Sequence, residues 1–407
     1  MKSKDYKALI LSFFLLNLFQ WVQIVEMRYG IPLLIKYILS VSILGIIIYY
    51  KVRHPSIPVP GGLFYPFIIL FVLWSTVLLV STLFNINSLL GLQRILAARY
   101  YFIPYLLPLI LLFAKYDIGF VRYLFDFSFI LLVPAIIIQL SIVALGLSPE
   151  EWYEHMHRIY LFDIGSSFLL LTSHISKKKS HTYVAFIYFI LLTFLWLAYG
   201  RRGLVVESIL LFFFVIIIRL RSPIIKVSGR VKMYLGGLFL VLLFFAFGYL
   251  LQSTYAFERG MSKSGFEESR NRVFTDFFED FNSSSDWLLG RGLDGTVRRT
   301  IMEEGIADTV ENGFLLLILK GGLIYTALFV VILLRASYLG FFKSKNDVVK
   351  ALASLIFIHV VMMLYFNLPD YSTRYVLIWI FASVCFTPEM RNLSNEEVHY
   401  AINSKLK

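Results

Sequence analysis

Apolar runs long enough to cross a lipid bilayer recur along most of this chain, and no other feature limits its possible folds as much. A helix needs about 20 mostly apolar residues to traverse roughly 30 Å of hydrocarbon, where its backbone polar groups must be bonded internally. On that scale the runs give about twelve spans, at residues 8–26, 31–50, 63–84, 95–114, 123–147, 160–176, 182–199, 203–219, 233–252, 312–334, 350–368 and 374–388. The residues are 58% hydrophobic and only 16% charged, too little polar surface for a soluble domain. The expected fold is an all-α integral membrane protein of about twelve transmembrane helices.

Charge orients the chain. The formal net charge is +12, but the basic residues fall between spans, so they read as topology signals and not as a nucleic-acid surface. Lys2, Lys4 and Lys7, Lys51 and Arg53, Lys115 and Arg122, Lys177 to Lys179, the group from Arg219 to Lys232, and Arg335 to Lys350 occupy alternate connections. The positive-inside rule makes that side cytoplasmic, with both termini on it. The basic, apolar N-terminus has no small-residue cleavage site and reads as the first span. Cys385 is the only cysteine, which excludes an intramolecular disulfide and a thiolate metal site.

The connections facing the other way are short, with one exception. Residues 1–252 carry nine spans, 253–311 form a large outward loop, 312–390 carry three more spans, and 391–407 form a cytoplasmic tail. No internal repeat, low-complexity tract or long flexible linker divides the chain further. Within the loop, Phe274, Phe277, Phe278 and Phe281 follow helical spacing, so one face of a helix would gather four rings. Such a stripe either lies on the membrane surface or closes a small core over the spans. Asn282 to Asp286 is a polar turn, and Gly290, Gly292 and Gly295 permit tight backbone geometry before the next span.

Charges at the outward ends of spans are the informative class, because a charge in hydrocarbon is costly unless it is paired or functional. Arg94 and Arg99 begin the fourth span, Arg158 precedes the sixth, and Arg201 and Arg202 join the seventh to the eighth. Arg270 and Arg272 open the loop helix, and Arg374 begins the last span. Guanidinium is a planar, permanently charged fork suited to phosphate, so the set favours an anionic lipid head group. Any single arginine is more simply explained by snorkelling or by a neighbouring carboxylate, for example Arg202 with Glu207. Glu311 ends the loop just before Asn312, a credible N-cap, and is either an acid/base group or a charge complementing the helix dipole. His155 and His157, with Glu150, Glu151 and Glu154, lack a well-placed further ligand and read as a solvated loop. Asp163 and Glu207 read as members of ion pairs.

Three local patterns resemble the O-antigen polymerase and ligase superfamily of membrane glycosyltransferases. They are YGRRGLVVESILLFFFVIII at 199–218, SRNRVF at 269–274 followed by WLLGRGLDG at 287–295, and ENGFLLLILKGGLIYTALFVVILL at 311–334. Arg158 in HRIYLFDIG is a weaker fourth match. Each is weak alone, but their order around one large outward loop is more specific, and they cover roughly the second half of the chain. In the first pattern Gly200 or Arg201 replaces a serine, so either Arg201 or Arg202 is the matching arginine.

The resemblance implies a periplasmic loop with short amphipathic helices, a bacterial inner-membrane location, and substrates that are oligosaccharides linked to undecaprenyl pyrophosphate. It implies no metal and no cofactor, with the bilayer and a chain-length regulator protein as partners. Glu311 and Arg270 would be catalytic, with Arg201, Arg202, Arg158 and Arg99 binding pyrophosphate. Glu311 stands where ligases of the superfamily carry a histidine, which favours a polymerase over a ligase. A lipid-linked sugar transporter or flippase is the alternative from another class, since many spans with scattered intramembrane charge also suit alternating access.

Overall fold

The computed structural model describes residues 3–29, 33–84, 89–144, 161–175, 179–198, 202–222, 237, 273–299, 305–365 and 368–403. Among these the chain is mostly helical. In order they form α1 (Ser3–Tyr29), α2 (Leu33–Arg53), α3 (Tyr65–Phe84), α4 (Leu89–Ala97), α5 (Phe102–Leu111), α6 (Ile118–Ala144), α7 (Leu161–Thr172), α8 (Lys179–Ala198) and α9 (Arg202–Arg221). A helix over 273–280 (α10) and the short α11 (Ser284–Leu289) follow, then a two-stranded antiparallel ladder pairing Val297–Arg298 with Ile306–Ala307. The chain continues as α12 (Gly313–Phe342), α13 (Asp347–Met362), α14 (Thr373–Phe386), α15 (Pro388–Asn392) and α16 (Asn395–Asn403).

Four described helices are long and apolar enough to cross a bilayer: Leu34–Arg53, Gly62–Phe84, Gly203–Arg221 and Gly313–Phe342. They turn aliphatic side chains outward, as a lipid-facing surface requires; on α3, Leu70, Leu73 and Val77 are all more than half exposed. The chain is therefore built to sit in a membrane. Apart from residue 237, the expected span at 233–252 lies outside the described residues.

Expected spans shorter than a bilayer is thick include α13, with 16 residues, and two that are shorter still. The run at 95–114 is not one helix: α4 ends at Ala97, and α5, only 10 residues long, starts at Phe102. The backbone breaks at Ala98 to Tyr101 because Arg99 is drawn away to the distant loop at 368–373. The last run gives the 14-residue α14, in which every residue but Arg374 is buried. A helix wrapped by protein on all sides does not need the length of a lipid-exposed one.

The packing centre lies where α12, α13 and α14 meet α3 and α5. Phe71 stacks on Tyr325 and Trp379 at ring separations of 5.5 and 5.7 Å, and Tyr105 meets Tyr325 at 5.7 Å. Such offset aromatic contacts add to simple area burial. Asn312, Asn346 and Ser372 cap α12, α13 and α14 by accepting bonds from the first free backbone N–H groups.

The loop between α9 and α12 has a core of its own. Val273, Phe277, Phe281, Val297, Ala307 and Val310 pack on Leu315, Leu316, Ile318 and Leu319 of the first turns of α12. The phenylalanine stripe is thus divided: Phe277 and Phe281 are 1% exposed inside this core, stacked at 4.7 Å, while Phe274 and Phe278 remain 38% and 54% exposed.

Candidate functional site

The loop is keyed into a break in α12. Gly322 has φ 72° within the helix, a left-handed conformation that a side chain resists. A Cβ at Gly322 would collide with the carbonyl of Leu288, and one at Gly290, where φ is 74°, would lie 2.5 Å from the Gly322 nitrogen. Backbone therefore meets backbone, and only glycine fits on both sides. Carbonyls released by the break find donors: the Trp74 indole N–H reaches Gly321 O at 3.0 Å, and the Arg291 N–H reaches Leu319 O at 2.7 Å.

Just before the break, the Lys320 side chain runs into the turn that follows Gly290. Lys320 is 1% exposed, and its ammonium donates to the carbonyls of Leu293 and Gly295, both at 2.8 Å. Between those carbonyls, Asp294 accepts the Tyr101 hydroxyl proton at 2.6 Å and faces Arg94 at 3.4 Å. Arg94 also meets Asp308 at 2.9 Å and lies over the Tyr101 ring. Arg94 and both aspartates are about half exposed, so these pairs contribute direction more than stability.

Arg291 closes the turn on itself. It bonds the carboxylates of Asp280 and Asp286 and the carbonyls of Asp280 and Thr296. Burial works against its charge, and the two carboxylates beside it outweigh that.

On the other side of the break between α4 and α5, Arg99 grips Asp370 with Nε at 3.0 Å and Nη2 at 2.7 Å. The Arg99 carbonyl accepts the Tyr371 N–H, so this arginine is drawn into the 368–373 loop by side chain and main chain together. Four residues later Arg374 pairs with Glu207 of α9, and both side chains are largely buried. Glu207 thus takes Arg374 as partner; the Arg202 side chain lies outside the described residues. Glu311 is exposed, while Asn312 beside it caps α12 through Phe314 N–H and Leu315 N–H and donates to Leu364 O at 2.8 Å.

Of the residues the sequence picks out, Arg94, Arg99, Arg374, Glu207 and Glu311 belong to the same end of the bundle, where the loop docks. Arg158, Arg201, Arg270, Arg272, His155 and His157 lie outside the described residues, as does the side chain of Asp163. The structure adds Asp294, Asp308, Asp370, Tyr101 and Lys320, which sequence reasoning misses. Lys320 does carry a signal, since it is a lone cation inside an apolar run and is followed by two glycines. The aspartates carry none, because an acidic residue in a polar loop is ordinary.

Chemically, the loop end offers guanidinium and ammonium groups in a fixed frame, each already facing oxygen acceptors, beside the exposed carboxylate of Glu311. No family model, characterised protein or solved structure matches this chain.

Proposed function

We propose that this chain is a surface-polysaccharide polymerase, extending a glycan carried on undecaprenyl pyrophosphate at the outer face of the inner membrane. The observation that supports it best is the docking of the long loop into the α12 break, which engages Arg94 and Lys320 at the end of a membrane-embedded bundle where Arg99 grips Asp370. The resemblance of residues 199–218, 269–295 and 311–334 to the polymerase and ligase superfamily supports the same reading.

In this reading the acceptor hydroxyl oxygen of a fresh lipid-linked repeat bonds to the anomeric carbon of the growing chain. The bond from that carbon to the pyrophosphate oxygen breaks, and its electron pair leaves with undecaprenyl pyrophosphate. Glu311 takes the acceptor proton, which requires its carboxylate within hydrogen-bond reach of the hydroxyl. Arg270, Arg201 or Arg202, Arg158 and Arg99 stabilise the negative charge that develops on the departing phosphate, where fixed cations in a water-poor site act most strongly. Arg99 enters this role pre-oriented by Asp370.

The test is glycan length in cells carrying Arg270→Ala or Glu311→Gln at normal membrane levels. Loss of long chains with a single repeat still attached to its acceptor supports the polymerase. Loss of every attached repeat indicates the ligase, and unchanged ladders remove both.

A transporter for lipid-linked sugar is the second reading, favoured by one observation: discontinuous helices such as α12 are a recurring device of transporters. The two separate in detergent, where no membrane divides the solution. Purified protein that lengthens lipid-linked repeats in micelles is a polymerase; one that acts only in sealed vesicles is a transporter.

A further inference from the structure

The break in α12 also sets how deep the loop reaches. α12 runs from the loop end towards the opposite end, and Arg335 near its far end bonds the carbonyl of Pro60, just before α3. α3 therefore rises from the opposite end towards the loop end. It has 20 residues without a single charge, a length of about 30 Å that matches the hydrocarbon thickness. Trp74 is its tenth residue, and its indole reaches the carbonyl of Gly321. The break thus lies within one side-chain length of the middle of the span.

The short helices agree. α5 has 10 residues and α14 has 14, or about 15 and 21 Å at 1.5 Å per residue. Both end on the opposite side near the level of the other spans: Ser56 N–H bonds Phe113 O after α5, and Asn346 bonds Met390 O after α14. Their loop-end termini, which carry Tyr101 and Arg374, must therefore stop well short of the surface. That is the level at which Tyr101 meets Asp294 of the loop.

We propose that Ser284–Gly295 is a re-entrant segment: it enters the bilayer from the loop end, turns at Gly290 to Gly295 near mid-depth, and presents Leu288 and Leu289 to lipid acyl chains.

Two features of the segment fit hydrocarbon and would be unneeded in water. First, several polar groups along it are bonded to protein, as irregular backbone at membrane depth requires. The N–H groups of Gly290, Arg291 and Gly295 go to Asp286 O, Leu319 O and Gly292 O. The carbonyls of Leu293 and Gly295 take Lys320, Asp294 takes Tyr101, and Arg291 takes Asp280 and Asp286. Second, the apolar pair seated on Gly322 is continuous with the lipid face of the span, while the half-exposed Asp294 on the turn is held by Tyr101 and Arg94. Leu288 and Leu289, each 50% exposed, sit on Gly322, immediately before Leu323 and Ile324, which are 43% and 37% exposed. The occupant of that surface is the one already on the neighbouring helices, the hydrocarbon tails. A water-soluble loop over the membrane would instead leave two leucines open to solvent.

The test is spin-label accessibility in lipid nanodiscs. Nitroxides are placed at Leu288→Cys and, separately, Leu289→Cys, with Leu73→Cys beside Trp74 as the mid-span reference and Arg298→Cys, whose side chain is 87% exposed, as the aqueous one. Cys385, the only native thiol, is buried, so labelling works in the natural background and in Cys385→Ser. The expected result is collision with oxygen over Ni(II)-EDDA at 288 and 289, matching position 73 and reversed at 298. Nickel access like that at 298 would overturn the proposal. Exclusion of both reagents would also overturn it, by showing that protein covers the face. Neither leucine has a role in the polymerase reading, so glycan ladders and label depth fail or hold independently.

Discussion

The loop end and the opposite end of this bundle both bury charge, but they hold it in different ways. At the opposite end Asp347 is fully buried and surrounded by short-range partners. Its oxygens accept from His174 and Asn395 at 3.1 Å and from Lys350 at 3.2 Å, while its own N–H bonds Asn395 at 2.8 Å. Asn346 beside it ties the chain to the carbonyls of Met390 and Leu393. These bonds lock α7, α13 and α16 together. At the loop end the charges sit at the tips of helices that stop early, and they pair across elements far apart in sequence, such as Arg99 with Asp370. Fixed polar groups that stay partly accessible are what a site needs, whereas a closed network such as that of Asp347 serves the fold.

The sharpest way to break this comparison is at the α12 kink. Gly322→Ala combines a disfavoured φ with a backbone clash at Leu288, and the expected cost is at least about 4 kcal/mol. In detergent the variant should lose its cooperative melting transition or its monodisperse elution peak. A near-normal melting temperature would mean that the loop is not keyed into the helix.

A middle-sized effect is expected at the Arg374–Glu207 pair. Arg374→Met leaves the largely buried Glu207 charge without its guanidinium and should cost about 3 kcal/mol. The double replacement Arg374→Met with Glu207→Leu should recover most of that loss. Thermal stability of the two singles and the double reads the coupling. Additive losses would make the pair incidental and place the loop end nearer to an ordinary surface.

The smallest effect concerns Asp347. Burial alone would raise its pKa, but bonds from His174 and Ser222, with Lys350 and His174 charge nearby, outweigh it and hold the value below the usual carboxylate range. A depressed folded-state pKa adds stability above the unfolded value near 4, and that stability fades as pH falls through the folded value. Asp347→Asn should therefore cost about 1 kcal/mol at pH 7 and progressively less below about pH 4. A difference that stays constant with pH would show that only shape matters there.

Parts of this picture were legible in the residues alone. Asn312 before a long apolar run is an N-cap by type and position, and it caps α12 as expected. The arginines at the outward ends of spans were conspicuous because charge in an apolar context needs a reason. Their partners were not, since Arg99 and Asp370 lie 271 residues apart and no local pattern links them. The run at 95–114 read as one span because its hydropathy is continuous; the break at Arg99 is made by that distant contact. The phenylalanine stripe left two destinations open, and packing used both faces, sending Phe277 and Phe281 inward and leaving Phe278 out.

What the sequence determined by itself was the solvent. Lengths of apolar run and the scarcity of charge require a bilayer, because no soluble surface can be made from them. What only the tertiary structure decided was where the longest described helix, α12, would break. The chain has 24 glycines, any of which tolerates positive φ, but a break in hydrocarbon is affordable only where other groups take up the freed backbone bonds. Leu288, Gly290 and Arg291 from the loop and Trp74 from α3 converge on Leu319 to Gly322, and that convergence is a property of the packed chain.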